Sequence, residues 1–204
     1  MDAVAAVIGM PSATITLFGV RGDEAMTAAS DPVARAAHDL EFVLGEGPAH
    51  SVVADGREIE VAGTALCDRW PQYGPEVGRL GVQAVIAVPL RPPPARVGAI
   101  CAYHSLPSIS KEAATAIGAV ADALPLTLSQ ATRDRPAGDF VLVRSLSGGA
   151  DFPAAIHQAA GVVSQQCRCS VDNALALLRA RAFAAGRPAE EVAADVLRGV
   201  LRLD

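Results

Sequence analysis

The chain has 204 residues, 51% of them hydrophobic and 19% charged, and a formal net charge of −5. That composition excludes a disordered solvating polymer, which needs low hydrophobicity and high net charge, and it gives no overall attraction to nucleic acid or anionic lipid. No apolar run reaches the roughly 18 residues of a spanning helix, and no Lys or Arg stands before the apolar N-terminal stretch, so neither a membrane anchor nor a secretory signal is expected. Cys67, Cys101, Cys167 and Cys169 are then expected to be reduced thiols of a cytoplasmic protein rather than a disulfide framework.

In chain order, Ala13 to Val20 alternates and is β-branched, which predicts a strand. A helical pattern follows over Asp31 to Leu40. Two continuous apolar runs, Gln83 to Leu90 and Arg96 to Ser105, flank the Pro-rich turn RPPPA and read as an antiparallel hairpin. Ser110 is placed to cap a helix over KEAATAIGAVADAL, which Pro125 should end or bend. Strands and helices interleave without a strict β-α-β rhythm, which favours an α+β layer of helices on one antiparallel sheet.

Residues 133–151 are rich in charge, Ser, Gly and Pro and read as a linker between a domain over 1–132 and a second over 152–204. FVLVR, inside that linker, is either a stray strand or the tail of a helix. Beyond it the pattern is purely helical. Asp151 and Pro153 start a first helix, Ser170 caps a second that Gly186 ends, and Pro188 with Glu190 and Glu191 opens a third. Val171, Ala174, Leu175, Leu178 and Ala182 form one stripe of the middle helix. Val192, Val196 and Val200, with Leu197 and Leu203, do the same in the last. In the first, Ile156, Ala159, Gly161 and Val163 offer small residues for close helix packing.

Alternation along the strand after RPPPA puts Ala99, Cys101 and Tyr103 on one face and Ile100, Ala102 and His104 on the other. One face packs on helices; the other is a candidate to line a ligand pocket with Trp70 and Tyr73. The stretch Gly45 to Pro48 (GEGP) reads as a turn, with Gly45 and Gly47 supplying positive φ, since no Lys or Ser/Thr follows to make a phosphate loop. Cys167 and Cys169 are one residue apart and lack a matching second pair, so no metal site is expected. No catalytic constellation stands out. Residues 151–204 carry six arginines and six carboxylates, so any polyanion contact requires the charges to lie on different faces.

The segment from Ile156 to Val200 resembles an ANTAR domain, the three-helix RNA-binding output module of bacterial antiterminators. The matching residues are Ile156, Gln158, Ala159, Gly161 and Val163, then Ser170, Ala174, Leu175, Leu178, Arg179 and Ala182, then Gly186, Arg187, Val192, Ala193 and Val196. At the position after Ala159, often Lys in that family, this chain has Ala160. The N-terminal part resembles a GAF domain of the type that precedes ANTAR in actinobacterial proteins. Its carriers are Ala28 to Asp31, GEGP, Trp70 with Pro71, Gly81, Val88 to Leu90 and Val97 to Tyr103. Only Asp2 to Ile8 stands where GAF domains usually place a full helix. The resemblance implies a GAF-type antiparallel sheet with helices followed by a small all-α domain. It implies a sensor of a small molecule or partner that causes transcription antitermination by binding RNA stem-loops, as a homodimer.

On that resemblance the RNA-contact candidates are Arg168, Arg179, Arg181, Arg187, Gln158, Ala159 and Gly161, and the ligand-pocket candidates are Trp70, Tyr73, Cys101 and Tyr103. The sequence names no cofactor. Two other readings remain: a thiol-dependent reductase of free methionine sulfoxide, a chemistry some GAF-fold proteins carry, using Cys67 and Cys101; and a protein-binding module that has lost RNA binding.

Overall fold

The computed structural model describes residues 2–18, 24–90, 98–133 and 154–203. The RPPPA turn, FVLVR, the start pair Asp151 and Pro153, and the linker from residue 134 onward lie outside the described residues. The chain divides into two compact units, one of residues 1–41 and 46–151 and the other of 42–45 and 152–204.

The first unit is built on a five-stranded sheet in the order β2-β1-β5-β4-β3, with every neighbouring pair antiparallel. Its strands are β1 (Ser12–Phe18), β2 (Glu24–Ala29), β3 (Ile59–Ala62), β4 (Ala84–Leu90) and β5 (Gly98–His104). The helices are α1 (Asp2–Ile8), α2 (Pro32–Leu44), α3 (Pro48–Asp55), α4 (Ala65–Arg69), α5 (Tyr73–Arg79) and α6 (Lys111–Arg133). The two apolar runs of the sequence form β4 and β5 and pair as the expected hairpin, with Ala87 opposite Cys101. The edge strands β2 and β3, and the short helices α3 to α5, carry no run long or regular enough to assign from sequence alone.

One face of the sheet is dry. Ile86, Val88 and Leu90 of β4, Ile100 and Ala102 of β5, and Ala13 of β1 pack with Ile8, Met10 and the Ala113, Ile117 and Ala121 face of α6. Burying this face contributes hydrophobic stabilisation at about 25 cal/mol per Å² of apolar surface. The ends of the helices are fixed as their sequences imply. Asp31 Oδ1 accepts from the Ala34 amide at 2.7 Å at the start of α2, and Ser110 Oγ accepts from the Ala113 amide at 3.1 Å at the start of α6. Pro125 does not end α6, which continues to Arg133. A proline withholds one backbone donor, and the residues on both sides (Ala, Leu, Gln) are good helix formers.

The second unit contains α7 (Ala154–Cys167), α8 (Val171–Ala185) and α9 (Ala189–Leu197). Ser170 Oγ accepts from the Asn173 amide at 3.2 Å, and Gly186 closes α8 at φ 59°, both at the positions expected. The shared core is Ile156, Ala159, Ala160 and Val163 of α7, Ala174, Leu178 and Ala182 of α8, and Val192, Ala193 and Val196 of α9. Four expectations need correction, the first being Leu197, which is 39% exposed at the last position of α9. Val171 is exposed at the first position of α8, where the stripe has not yet reached the core. Val200 is 75% exposed because α9 stops at Leu197 and Gly199 turns the chain at φ 71°. Gly161 faces open space, so the close approach in α7 runs through Ala159 and Ala160 instead.

Candidate functional site

The second face of the sheet, under α2, α3 and α5, is also buried and mixes polar side chains with Val85, Ala87 and Ala99. Because side chains alternate along a strand, the β1 residues Thr14 and Thr16 and the β5 residues Cys101 and Tyr103 turn away from the dry core. Thr14 Oγ1 and the Tyr103 hydroxyl are 3.4 Å apart, and Thr27 Oγ1 donates to Thr16 Oγ1 at 3.3 Å. Tyr73, at the start of α5, is fully buried. Its ring meets Trp70 edge to face at 5.8 Å between centroids, and Trp70 Nε1–H donates to Ser51 Oγ at 3.0 Å. The four pocket candidates, Trp70, Tyr73, Cys101 and Tyr103, are all within this interior.

Burial, the nearby Glu41 carboxylate and the Cys101 thiol hold the Tyr73 phenol well above its ordinary pKa. Tyr103 is raised in the same direction by burial, then by Tyr73, Cys101 and Glu41. Both phenols are therefore neutral in the physiological range, able to give or take a hydrogen bond. The Tyr103 hydroxyl lies close enough to favour the ionised form of Tyr73, yet no partner among the described residues completes a hydrogen bond to the Tyr73 hydroxyl.

Glu41 is the residue that sequence reasoning missed. It lies on α2 in register with Ala34, Ala37 and His38, all buried, so its spacing alone places it on the inward stripe. Its side chain is fully buried. Oε1 accepts from the His50 amide at 2.9 Å and stands 3.1 Å from His50 Nδ1. The His50 amide is in the first turn of α3, where the Gly47 cap has no side chain and Pro48 has no N–H, so the carboxylate does the work of a cap. Glu46 performs the same task for α5, its Oε1 accepting from the Gln72 and Tyr73 amides at 2.5 and 2.8 Å. GEGP is thus a turn, as read, with Gly45 at φ 72° and Gly47 at φ 158°. Gly47 also admits Glu41, since a Cβ there would lie 2.6 Å from Glu41 Cγ and Cδ.

A protein-family model for the GAF domain matches residues 1–128. The chain belongs to the GAF domain family. The GAF unit is similar in fold to several solved structures. The GAF3 domain of a Synechocystis protein, in its photoproduct state, is 12% identical; the match covers 64% of this chain and 89% of that one at a TM-score of 0.48. The GAF domain of an Acinetobacter phosphoenolpyruvate-protein phosphotransferase is 14% identical, with 64% and 77% covered at 0.45. NreA of Staphylococcus aureus, mutated in its nitrate-binding site, is 20% identical, with 54% and 86% covered at 0.38. Among curated proteins no relative matches.

In the GAF unit, Cys67 is exposed on α4 and Cys101 buried on β5, and neither is in a disulfide. Among the described residues no group of three or more His, Cys, Asp or Glu could hold a metal ion, and no helix is long and apolar enough to cross a membrane.

The RNA-contact candidates of the second unit are distributed unevenly. Arg168, Arg181, Gln158 and Gly161 are exposed, and Arg179 is partly buried on α8. Ala159 is fully buried in the three-helix core, so its methyl serves packing and cannot meet RNA in this fold. Arg187 is held by two carboxylates of α9: its Nε donates to Glu191 at 3.2 Å and its Nη1 to Asp195 at 2.8 Å. Arg198 donates to the other oxygen of Asp195 at 2.6 Å. Asp195 consequently has a lowered pKa, chiefly through the Arg187 hydrogen bond. Arg168 lies in the α7–α8 turn at φ 50°, outside this ionic network, as does Arg181.

Proposed function

We propose that the GAF unit senses a small molecule at the polar face of its sheet and that the three-helix unit is an ANTAR-like output that binds RNA stem-loops, producing transcription antitermination. The observation that carries the sensing half is the buried cluster of Thr14, Glu41, Tyr73, Cys101 and Tyr103, two of whose polar atoms have no partner. A core built only for stability satisfies its polar groups or omits them. The output half rests on the ANTAR resemblance together with caps at Ser170 and Gly186 and a core of the matching residues. In this reading Arg168 and Arg181 carry the first contacts with RNA, and paired stem-loops call for two output units in a homodimer.

The test is binding of the full chain to a dual-hairpin RNA at low salt, with the paired Arg168→Ala, Arg181→Ala variant alongside. Loss of two phosphate contacts should weaken binding at least about tenfold, roughly 1.4 kcal/mol. It should also flatten the salt dependence by about 0.7 to 0.9 per contact in log–log slope. Absence of binding by the parent chain rejects the RNA output, and undiminished binding by the double variant rejects these two residues as its site.

A further inference from the structure

The partnerless atoms of the GAF site differ in what they ask of a ligand. Glu41 Oε2 is fully buried, and no donor among the described residues reaches it, while its twin Oε1 is engaged by the backbone amide and the ring Nδ1 of His50. The Tyr73 hydroxyl is equally buried and without a partner. An ionised carboxylate oxygen only accepts hydrogen bonds, whereas a phenol both gives and takes them. The carboxylate therefore sets the polarity of the occupant. An acceptor at Oε2 would set lone pairs against lone pairs, and an N–H donor there would find its complement. These groups are shut off from solvent, Glu41, Tyr73 and Cys101 being each 0% exposed and Tyr103 2%.

We propose that the GAF unit takes a small donor-bearing ligand of the amine or amidine class, its N–H group on Glu41 Oε2 and the Tyr73 hydroxyl at its side. This rests on the sensing reading of the same face and narrows it to one chemistry, opposite in sign to that of an anion receptor.

Trp70 reports on the site, being the single Trp of the chain and in ring contact with Tyr73. The experiment titrates the full chain with methylammonium and acetamidinium as donor probes and with nitrate and acetate as acceptor probes, following Trp70 fluorescence and Tm. Ionic strength is held constant. A saturable response to the donor probes below about 10 mM, and none to the anions, is the expected result; a Kd of 1 mM corresponds to about 4.1 kcal/mol, reasonable for so few atoms. Glu41→Gln keeps an acceptor for the His50 amide but can put a donor in place of Oε2. It should weaken the donor probes at least about tenfold. Tyr73→Phe leaves the ring on Trp70 and should weaken them about threefold; it serves as the second variant if Glu41→Gln does not fold. Unchanged donor affinity in the variant that folds overturns the proposal. A response to nitrate or acetate alone overturns the ligand class while leaving the face a sensing site, and a response to none of the four overturns both.

Discussion

Gly47 shows how narrowly single residues support the site. Its backbone, at φ 158° and ψ −171°, is a region that side chains disfavour, and a Cβ would press on Glu41. Gly47→Ala is expected to lower stability by about 1 to 3 kcal/mol, by strain and by displacing the carboxylate that caps α3. Urea unfolding would check it. Gly45→Ala, where nothing lies within 4 Å, should cost only the strain of positive φ. At this scale the sequence was partly legible. That Cys101 and Tyr103 share one face of the sheet follows from strand alternation, because β5 is a clean apolar run with one polar-tipped ring. Glu41 does not announce itself, since a charged residue on a helix ordinarily reads as solvated. Only its register with Ala34, Ala37 and His38 betrays the inward face, and its role depends on α3, for which the sequence gives few signals.

Among the elements, α9 and the segment before it are held by ionic contacts as well as by the core of Val192, Ala193 and Val196. Arg187 and Arg198 converge on Asp195. The lowered pKa of Asp195 fixes the sign of the pH effect. A carboxylate with a depressed folded pKa contributes stability at pH values above its unfolded value of about 3.9, and loses it as pH falls through the lower folded value. Asp195→Asn should therefore reduce the thermal stability of the helical unit at neutral pH, and the gap from the parent chain should close in acid; circular dichroism melts at several pH values would measure it. The helices of this unit were readable because Ser170 and Gly186 mark both ends of α8 and the core spacing is regular. Val171 and Val200 misled because apolar identity says nothing about where a helix starts or stops, and the chain had already turned at Gly199. Arg187 is legible as a cation, but the carboxylates that hold it, Glu191 and Asp195, are brought to it only by where α9 starts.

In the molecule as a whole, the acidic balance belongs to residues 1–150, which carry 11 basic and 16 acidic residues, while the remainder is neutral. Part of that neutrality is now accounted for by contact. Two arginines are committed to Asp195 and Glu191, which leaves Arg168 of the α7–α8 turn, Arg181 of α8 and Arg202 beyond α9 as exposed cations of the helical unit among the described residues. The sensing unit has its own economy of layout in β5. Cys101 and Tyr103 turn to the face under α3, and Ile100 and Ala102, their immediate neighbours in sequence, pack toward the Ala113, Ile117 and Ala121 face of α6. The two faces are separated by the thickness of one peptide backbone. A probe that stiffens the ligand face should slow amide exchange along Ala113 to Ala121 as well as in α3, and hydrogen exchange with and without methylammonium would show it; α6 amides that ignore the probe would mean the strand does not transmit. The alternation that keeps polar and apolar side chains apart thus also makes the strand a membrane between two chemistries, thin enough for one to be felt on the other side.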